Sequence, residues 1–142
     1  MTVRVLIAED NEDHRFLTVR ALQDVPDVDL AIETVADGEE ALDYVHGRRA
    51  YAGKQRPDLV LLDIRMPKVD GLEVLRQLKA DPSLRTIPTV VLSSSDRAED
   101  INTAYELGSN SYVTKPATAS GMRAGLRQLG EYWTLLAALP SA

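Results

Sequence analysis

Leu59-Val60-Leu61-Leu62-Asp63-Ile64-Arg65-Met66-Pro67 is an apolar run that ends in a carboxylate and a proline turn. Four apolar, β-type residues in a row suit a central strand of a parallel sheet, covered on both faces. The run breaks off at one carboxylate, Asp63, where such a strand ends. In open α/β sheets, ligand chemistry lies outside those carboxyl ends. Pro67 has no N–H for a ladder, so Met66-Pro67 stops the strand. A polar residue leaving a strand for a turn is the commoner fate of a lone aspartate, so Asp63 gains meaning only from what surrounds it.

Working outward, the same strand-then-polar pattern recurs. Val3 to Ala8 reads as a strand that ends in Glu9-Asp10-Asn11-Glu12-Asp13, and Leu17, Ala21 and Val25 then follow at helical spacing. Asp10 or Asn11 is the candidate helix cap. Taken alone, the acidic cluster is explained by first-turn carboxylates complementing the helix dipole. Leu30 and Ile32 alternate with more polar residues, which places that strand nearer the sheet edge. Asp37 and Glu40 form a capping box, and Gly47 is expected to end the helix they open. Arg48 to Pro57 is a long polar connection with four basic residues, expected to be a solvated loop, with a partner contact as the alternative. Neither His14 nor His46 has a partner pattern around it.

After the central strand, Asp70-Gly71 opens a helix carrying Leu72, Leu75 and Leu78. Thr89 to Leu92 is another apolar strand and ends in Ser93-Ser94-Ser95. Asp96 and Glu99 repeat the capping-box spacing before Ile101, Ala104 and Leu107. Ser111 to Thr114 is a fifth strand ending in Lys115-Pro116. A final helix is expected from about Ser120 to Leu139, close to 30 Å long at about 1.5 Å per residue. Its last apolar turns, with Tyr132, Trp133 and Leu136, have no evident intramolecular partner.

Strand and helix alternate five times, which predicts an α/β, doubly wound five-stranded parallel sheet with helices on both faces. All strand ends then open on one side, so Glu9, Asp10, Asp63, Ser93 and Lys115 should converge. Carboxylates about 4 Å apart repel by roughly 4 kcal/mol per pair at an effective dielectric of 20. A compensating cation is needed, or one carboxylate must take a proton; oxygen ligands suit a hard ion such as Mg²⁺. A carboxylate flanked by Mg²⁺, a lysine and a hydroxyl is arranged to accept a phosphoryl group. No histidine or serine-histidine pair is expected to compete as a catalytic base.

Composition narrows the class. The 142 residues are the size of one domain, expected to span 1–142. A net charge of −6 disfavours a duplex-DNA partner, which needs a basic face. The absence of cysteine rules out disulfides and thiolate metal sites. No run reaches membrane-spanning length and no signal peptide is visible, so a cytoplasmic location is expected.

Glu9-Asp10, Leu61 to Pro67 with Asp70-Gly71, Leu92-Ser93-Ser94, and Tyr112 with Lys115-Pro116 together resemble the receiver domains of two-component response regulators. The resemblance covers essentially the whole chain. It implies a flavodoxin-like strand order 2-1-3-4-5 and a phosphorelay role, with Asp63 accepting a phosphoryl group from a histidine kinase. It implies Mg²⁺ held by Asp10, Asp63 and the Arg65 backbone carbonyl, with Glu9 acting through a water. Lys115 would pair with the phosphate, and its bond to Pro116 would be cis. Ser93 and Tyr112 would be the switch pair. The protein would not be an enzyme beyond self-catalysed phosphotransfer and autodephosphorylation.

No effector segment follows the last helix, so output is expected through protein contact, without nucleic acid or membrane. The long loop, the Asp81-Pro82 turn and the aromatic C-terminus look like single-domain receivers that partner phytochrome-type kinases, bacteriophytochromes among them. Such relatives often dimerise through C-terminal arms, which would make 119–142 the final helix and arm. The rival is a haloacid dehalogenase-like aspartyl-phosphate phosphatase. Its nucleophile normally lies in an Asp-x-Asp motif after the first strand, whereas here the first strand gives Glu9-Asp10, the residue two beyond Asp63 is Arg65, and no cap domain is evident.

Overall fold

A computed structural model describes residues 2–141. The outermost residues of the expected 1–142 domain, Met1 and Ala142, lie outside this range. Five parallel strands form one sheet: β1 (Thr2–Ala8), β2 (Asp29–Val35), β3 (Leu59–Leu62), β4 (Thr89–Ser93) and β5 (Ser111–Thr114). Their order is β2-β1-β3-β4-β5, as the resemblance implied. The helices are α1 (Glu12–Gln23), α2 (Gly38–His46), α3 (Gly71–Ala80), α4 (Ala98–Glu106) and α5 (Ala119–Glu131).

Period-two alternation sorts the core into two layers. Leu6, Ala8, Val60, Leu62 and Val91 face one side and pack with Ala41, Leu42, Val74, Leu75, Leu78 and Ala104 of α2, α3 and α4. Val3, Val5, Ile7, Leu59, Leu61 and Val90 face the other and pack with Leu22 of α1 and Leu129 of α5. No residue of β3 is more than 1% exposed, which is why this strand can be apolar on both faces. Edge strand β2 has only Val35 fully buried, in keeping with its alternating sequence.

Local chemistry sets most helix starts. Asn11, Asp37, Asp70 and Thr118 each accept a hydrogen bond from a first-turn N–H of the helix that follows. Gly47 ends α2 at φ +63°, a left-handed conformation that favours glycine. The expected Asp96 cap is not formed. α4 begins at Ala98 with Arg97 at the cap position and no side-chain cap bond. Instead the preceding loop is tied by Ser95, whose hydroxyl bonds Asp100 and accepts from the Arg97 N–H.

The basic loop after α2 is anchored to the domain at four points. Arg48 and Arg49 pair with Asp43 at 3.3 and 2.7 Å, and Lys54 pairs with Glu33 at 2.9 Å. Arg56 donates to Thr86 Oγ1 at 2.8 Å.

The C-terminal helix is present but leaves α-geometry earlier than Leu139. Beyond Glu131 the backbone widens into a π turn, Tyr132–Leu136. Gly130 packs so close to Leu22 and Val25 that a Cβ there would meet both side chains. The Thr134 hydroxyl donates back to the Gly130 carbonyl at 2.6 Å, a local bond of the kind that bends helices. This redirection gives Trp133 and Leu139 an intramolecular partner, the core layer beneath α1 and α5. Tyr132, Leu135 and Leu136 stay outside, half or more exposed. Among the described residues, no helix is long and apolar enough to cross a membrane.

Candidate functional site

Sheet register delivers the site. Ala8 lies beside Leu62, Leu62 beside Val91, and Ser93 beside Thr114. One further rung extends the ladder at each strand end: Glu9 N–H donates to Val35 O at 3.0 Å, Asp63 N–H to Ala8 O at 3.0 Å, and Lys115 N–H to Ser93 O at 2.7 Å. The side chains of Glu9, Asp63 and Lys115 are thereby fixed at one edge of the sheet, although they are far apart in sequence.

The Lys115 ammonium bonds Glu9 Oε1, lies 3.3 Å from Asp63 Oδ2, and lies 2.9 Å from His14 Nδ1. Glu9, Asp63 and Lys115 are buried, and Asp10 is exposed at the rim. Asp63 Oδ1 accepts from the Arg65 N–H at 3.1 Å, and Glu9 Oε2 accepts from the Asn11 N–H at 3.1 Å. Gly71 approaches so closely that a Cβ would overlap the Asp63 carbonyl oxygen and lie 2.5 Å from Ile64 Cα. Position 71 needs glycine for space.

Carboxylate oxygens of Glu9, Asp10 and Asp63 lie within 4.8 Å of one another. Three carboxylates facing one ammonium leave two negative charges when all are ionised. An all-oxygen donor set with that surplus fits a hard divalent cation. Without one, the repulsion falls on Glu9. Burial and then the neighbouring Asp63 outweigh Lys115 and push its pKa up from 4.5 to about 7.

Between its ordinary value and about 7, native Glu9 holds a proton that the unfolded chain has released, so its contribution to stability falls as pH rises through that window. His14 is shifted the other way, lowered by burial and by Lys115, so its contribution rises with pH toward its ordinary value. Glu9→Gln removes only the first effect. In chelator, the melting temperature of Glu9→Gln relative to wild type should rise by roughly a few degrees from pH 5 to pH 8. A pH-independent difference contradicts the shift.

Ser93 is fully buried, and its hydroxyl accepts from the Ser95 N–H at 3.1 Å. Tyr112 is half-buried against the α2–α4 core layer, and its hydroxyl donates to the Ser95 carbonyl at 2.7 Å. Both members of the expected switch pair thus bond the same residue. Arg65 reaches across to Asp100 at 3.3 Å. The Lys115–Pro116 bond is not cis, since no cis peptide occurs among the described residues. X-Pro bonds favour trans by about 0.5–1 kcal/mol, and a trans bond here still leaves Nζ in the pocket.

Sequence reasoning missed His14 and Arg15. His14 is the third helical residue after the Asn11 cap, whose side chain accepts the His14 N–H at 3.0 Å. Arg15 donates to the Glu9 carbonyl at 2.8 Å. The available signal was the strand end at Glu9 followed at once by a cap, which places the first turn of α1 over the pocket.

Residues 5–127 match the family described as response regulator receiver domain. The chain is 40% identical over 129 residues to a probable methanogenesis regulatory protein, FilR2, of Methanothrix harundinacea, covering 91% of this chain and 82% of that one. It is 32% identical over 138 residues to response regulator Rcp1 of Synechocystis, covering 97% and 93%. The Mn²⁺-bound crystal structure of Rcp1 superposes with a TM-score of 0.95 at 31% identity, over 98% of this chain and 99% of that one. The phosphorylated cyanobacterial phytochrome response regulator RcpA gives a TM-score of 0.95 at 40% identity, over 99% and 100%.

Proposed function

We propose that in this chain, which belongs to the response regulator receiver domain family, phosphorylation-based signalling runs through Asp63. The observation that carries this reading is the convergence of Asp63 with Glu9, Asp10 and Lys115 at one sheet edge. Family membership removes the phosphatase rival, whose Asp-x-Asp motif stands neither after β1, where the chain reads Glu9-Asp10-Asn11, nor at Asp63, where Arg65 follows two residues on.

In this reading an Asp63 carboxylate oxygen attacks the phosphorus of a kinase phosphohistidine. The new O–P bond forms as the N–P bond breaks, and its electron pair returns to the imidazole nitrogen. Asp63 Oδ1 is aimed by the Arg65 N–H, and Lys115 draws the transferring oxygens toward Oδ2. The Ser93 hydroxyl would leave the Ser95 N–H to donate to a phosphoryl oxygen. Because Tyr112 also holds Ser95, that move loosens its ring. Asp10, Asp63 and the Arg65 carbonyl would hold Mg²⁺, with Glu9 reaching it through a water. The ion supplies charge neutralisation at the transferring oxygens.

The partner proposed is a phytochrome-type histidine kinase in the cytoplasm, a pairing supported by the likeness to RcpA, a phytochrome response regulator. Self-catalysed transfer and hydrolysis would be the only chemistry, and neither nucleic acid nor membrane would be engaged. Homodimerisation is assigned to the exposed apolar end of the arm, Tyr132, Leu135 and Leu136, with Trp133 supporting Tyr132 edge-on at 5.2 Å. Because Leu129 and Trp133 serve the core, the test is Leu135→Asp with Leu136→Asp rather than truncation. Light scattering should show a dimer turned into a folded monomer. A wild-type monomer, with or without phosphorylation, rules the arm out.

The phosphorylation reading is tested with acetyl phosphate and Mg²⁺. Intact mass should increase by one phosphoryl group per chain, and Asp63→Asn should take none. Stoichiometric labelling of Asp63→Asn defeats the assignment.

A further inference from the structure

We infer that His14 is a positioning residue for Lys115, holding its ammonium in line with Asp63. This rests on Asp63 being the phosphoacceptor. An ammonium has three N–H donors and no acceptor. Lys115 spends them on Glu9, on Asp63 at 3.3 Å and on His14 at 2.9 Å, with its side chain only 3% exposed. Since Nζ can only donate, His14 Nδ1 accepts, and the ring hydrogen sits on Nε2.

The three partners differ in what they ask of the lysine. The Glu9 and Asp63 carboxylates both attract the ammonium, and its bond to Asp63, at 3.3 Å, is long. His14 supplies a neutral third direction. Its backbone is fixed on both sides: its N–H donates to Asn11 Oδ1 at 3.0 Å, and its carbonyl accepts the Thr18 hydroxyl at 2.8 Å. Remove the imidazole acceptor, and one N–H of a buried ammonium loses its protein partner. The group is then free to collapse onto Glu9. Phosphoryl acceptance at Asp63 requires Lys115 where the new charge develops, so the expected loss is in rate rather than in donor affinity.

Two variants separate acceptor from shape. His14→Asn places an amide oxygen close to where Nδ1 stands, whereas His14→Leu keeps the bulk and offers no acceptor. Position 14 is in the first turn of α1, 31% exposed, so both should fold, as thermal melting will show. The measurement is the rate of Asp63 labelling by acetyl phosphate at saturating donor and Mg²⁺, with half-saturation for donor measured alongside. His14→Leu should lower the saturated rate about tenfold with half-saturation unmoved, and His14→Asn should recover it to within about threefold of wild type. Equal rates in the two variants, whether both high or both low, overturn the role of the imidazole nitrogen while leaving Asp63 in place. A wild-type protein that takes no label at Asp63 overturns both readings.

Discussion

Alanine at position 71 is expected to cost roughly 3 kcal/mol of stability and to disable the Asp63 site. The atoms that a Cβ would meet are the Asp63 carbonyl and Ile64 Cα, all backbone, and none can rotate away. Room can be made only by shifting the start of α3 or the end of β3. The Gly71 N–H also donates to the Ile64 carbonyl at 2.9 Å, so a shift breaks the bond that closes the loop behind Asp63. Urea unfolding and calorimetric Mg²⁺ titration measure the two consequences. Stability within about 0.5 kcal/mol of wild type, with unchanged affinity, would mean that the close approach has no importance.

The second large effect is expected from Lys115→Ala, and it runs in two directions. Removing a buried ammonium from among carboxylates raises the negative charge of the pocket, so Mg²⁺ should bind more tightly. The same change removes a donor aimed at the transferring oxygens, and the rate of phosphoryl acceptance should fall about a hundredfold. Without metal the variant should also be less stable near neutral pH, because two buried carboxylates lose their common partner. Opposite movement of affinity and rate identifies a residue that acts on the phosphoryl group. A parallel loss of both would reduce Lys115 to a support for the fold.

Much of this arrangement was legible in the residues because burial on both faces leaves little freedom. Leu59 to Leu62 suits a central strand and forms one, and four of the five strands carry site chemistry at or just beyond their ends. Caps were legible where the cap residue touched the helix directly, as at Asp37 and at Asn11, one of the two candidates before α1. Asp96 misled because a carboxylate three residues before Glu99 reports spacing, whereas Ser95 and Asp100 had already taken the loop bonds. The π turn was hidden for a related reason. Hydrophobic periodicity continues through Tyr132 to Leu139, but the backbone obeys the crowding of Gly130 against α1 and the Thr134 hydroxyl. His14 escaped notice because its partner, Lys115, lies a hundred and one residues away and is met only when the sheet closes. The strand end and cap before it place the first turn of α1 over the pocket, but they do not show which distant side chain meets it there.

The position of the phosphoryl group is the most direct measure of this account. Protein phosphorylated with acetyl phosphate and Mg²⁺ can be treated with borohydride, which reduces an aspartyl phosphate to homoserine, and the digested peptides sequenced by mass spectrometry. The expected result is homoserine at position 63 and nowhere else. Homoserine at Asp10, or phosphorylated protein with an unmodified Asp63, would contradict it.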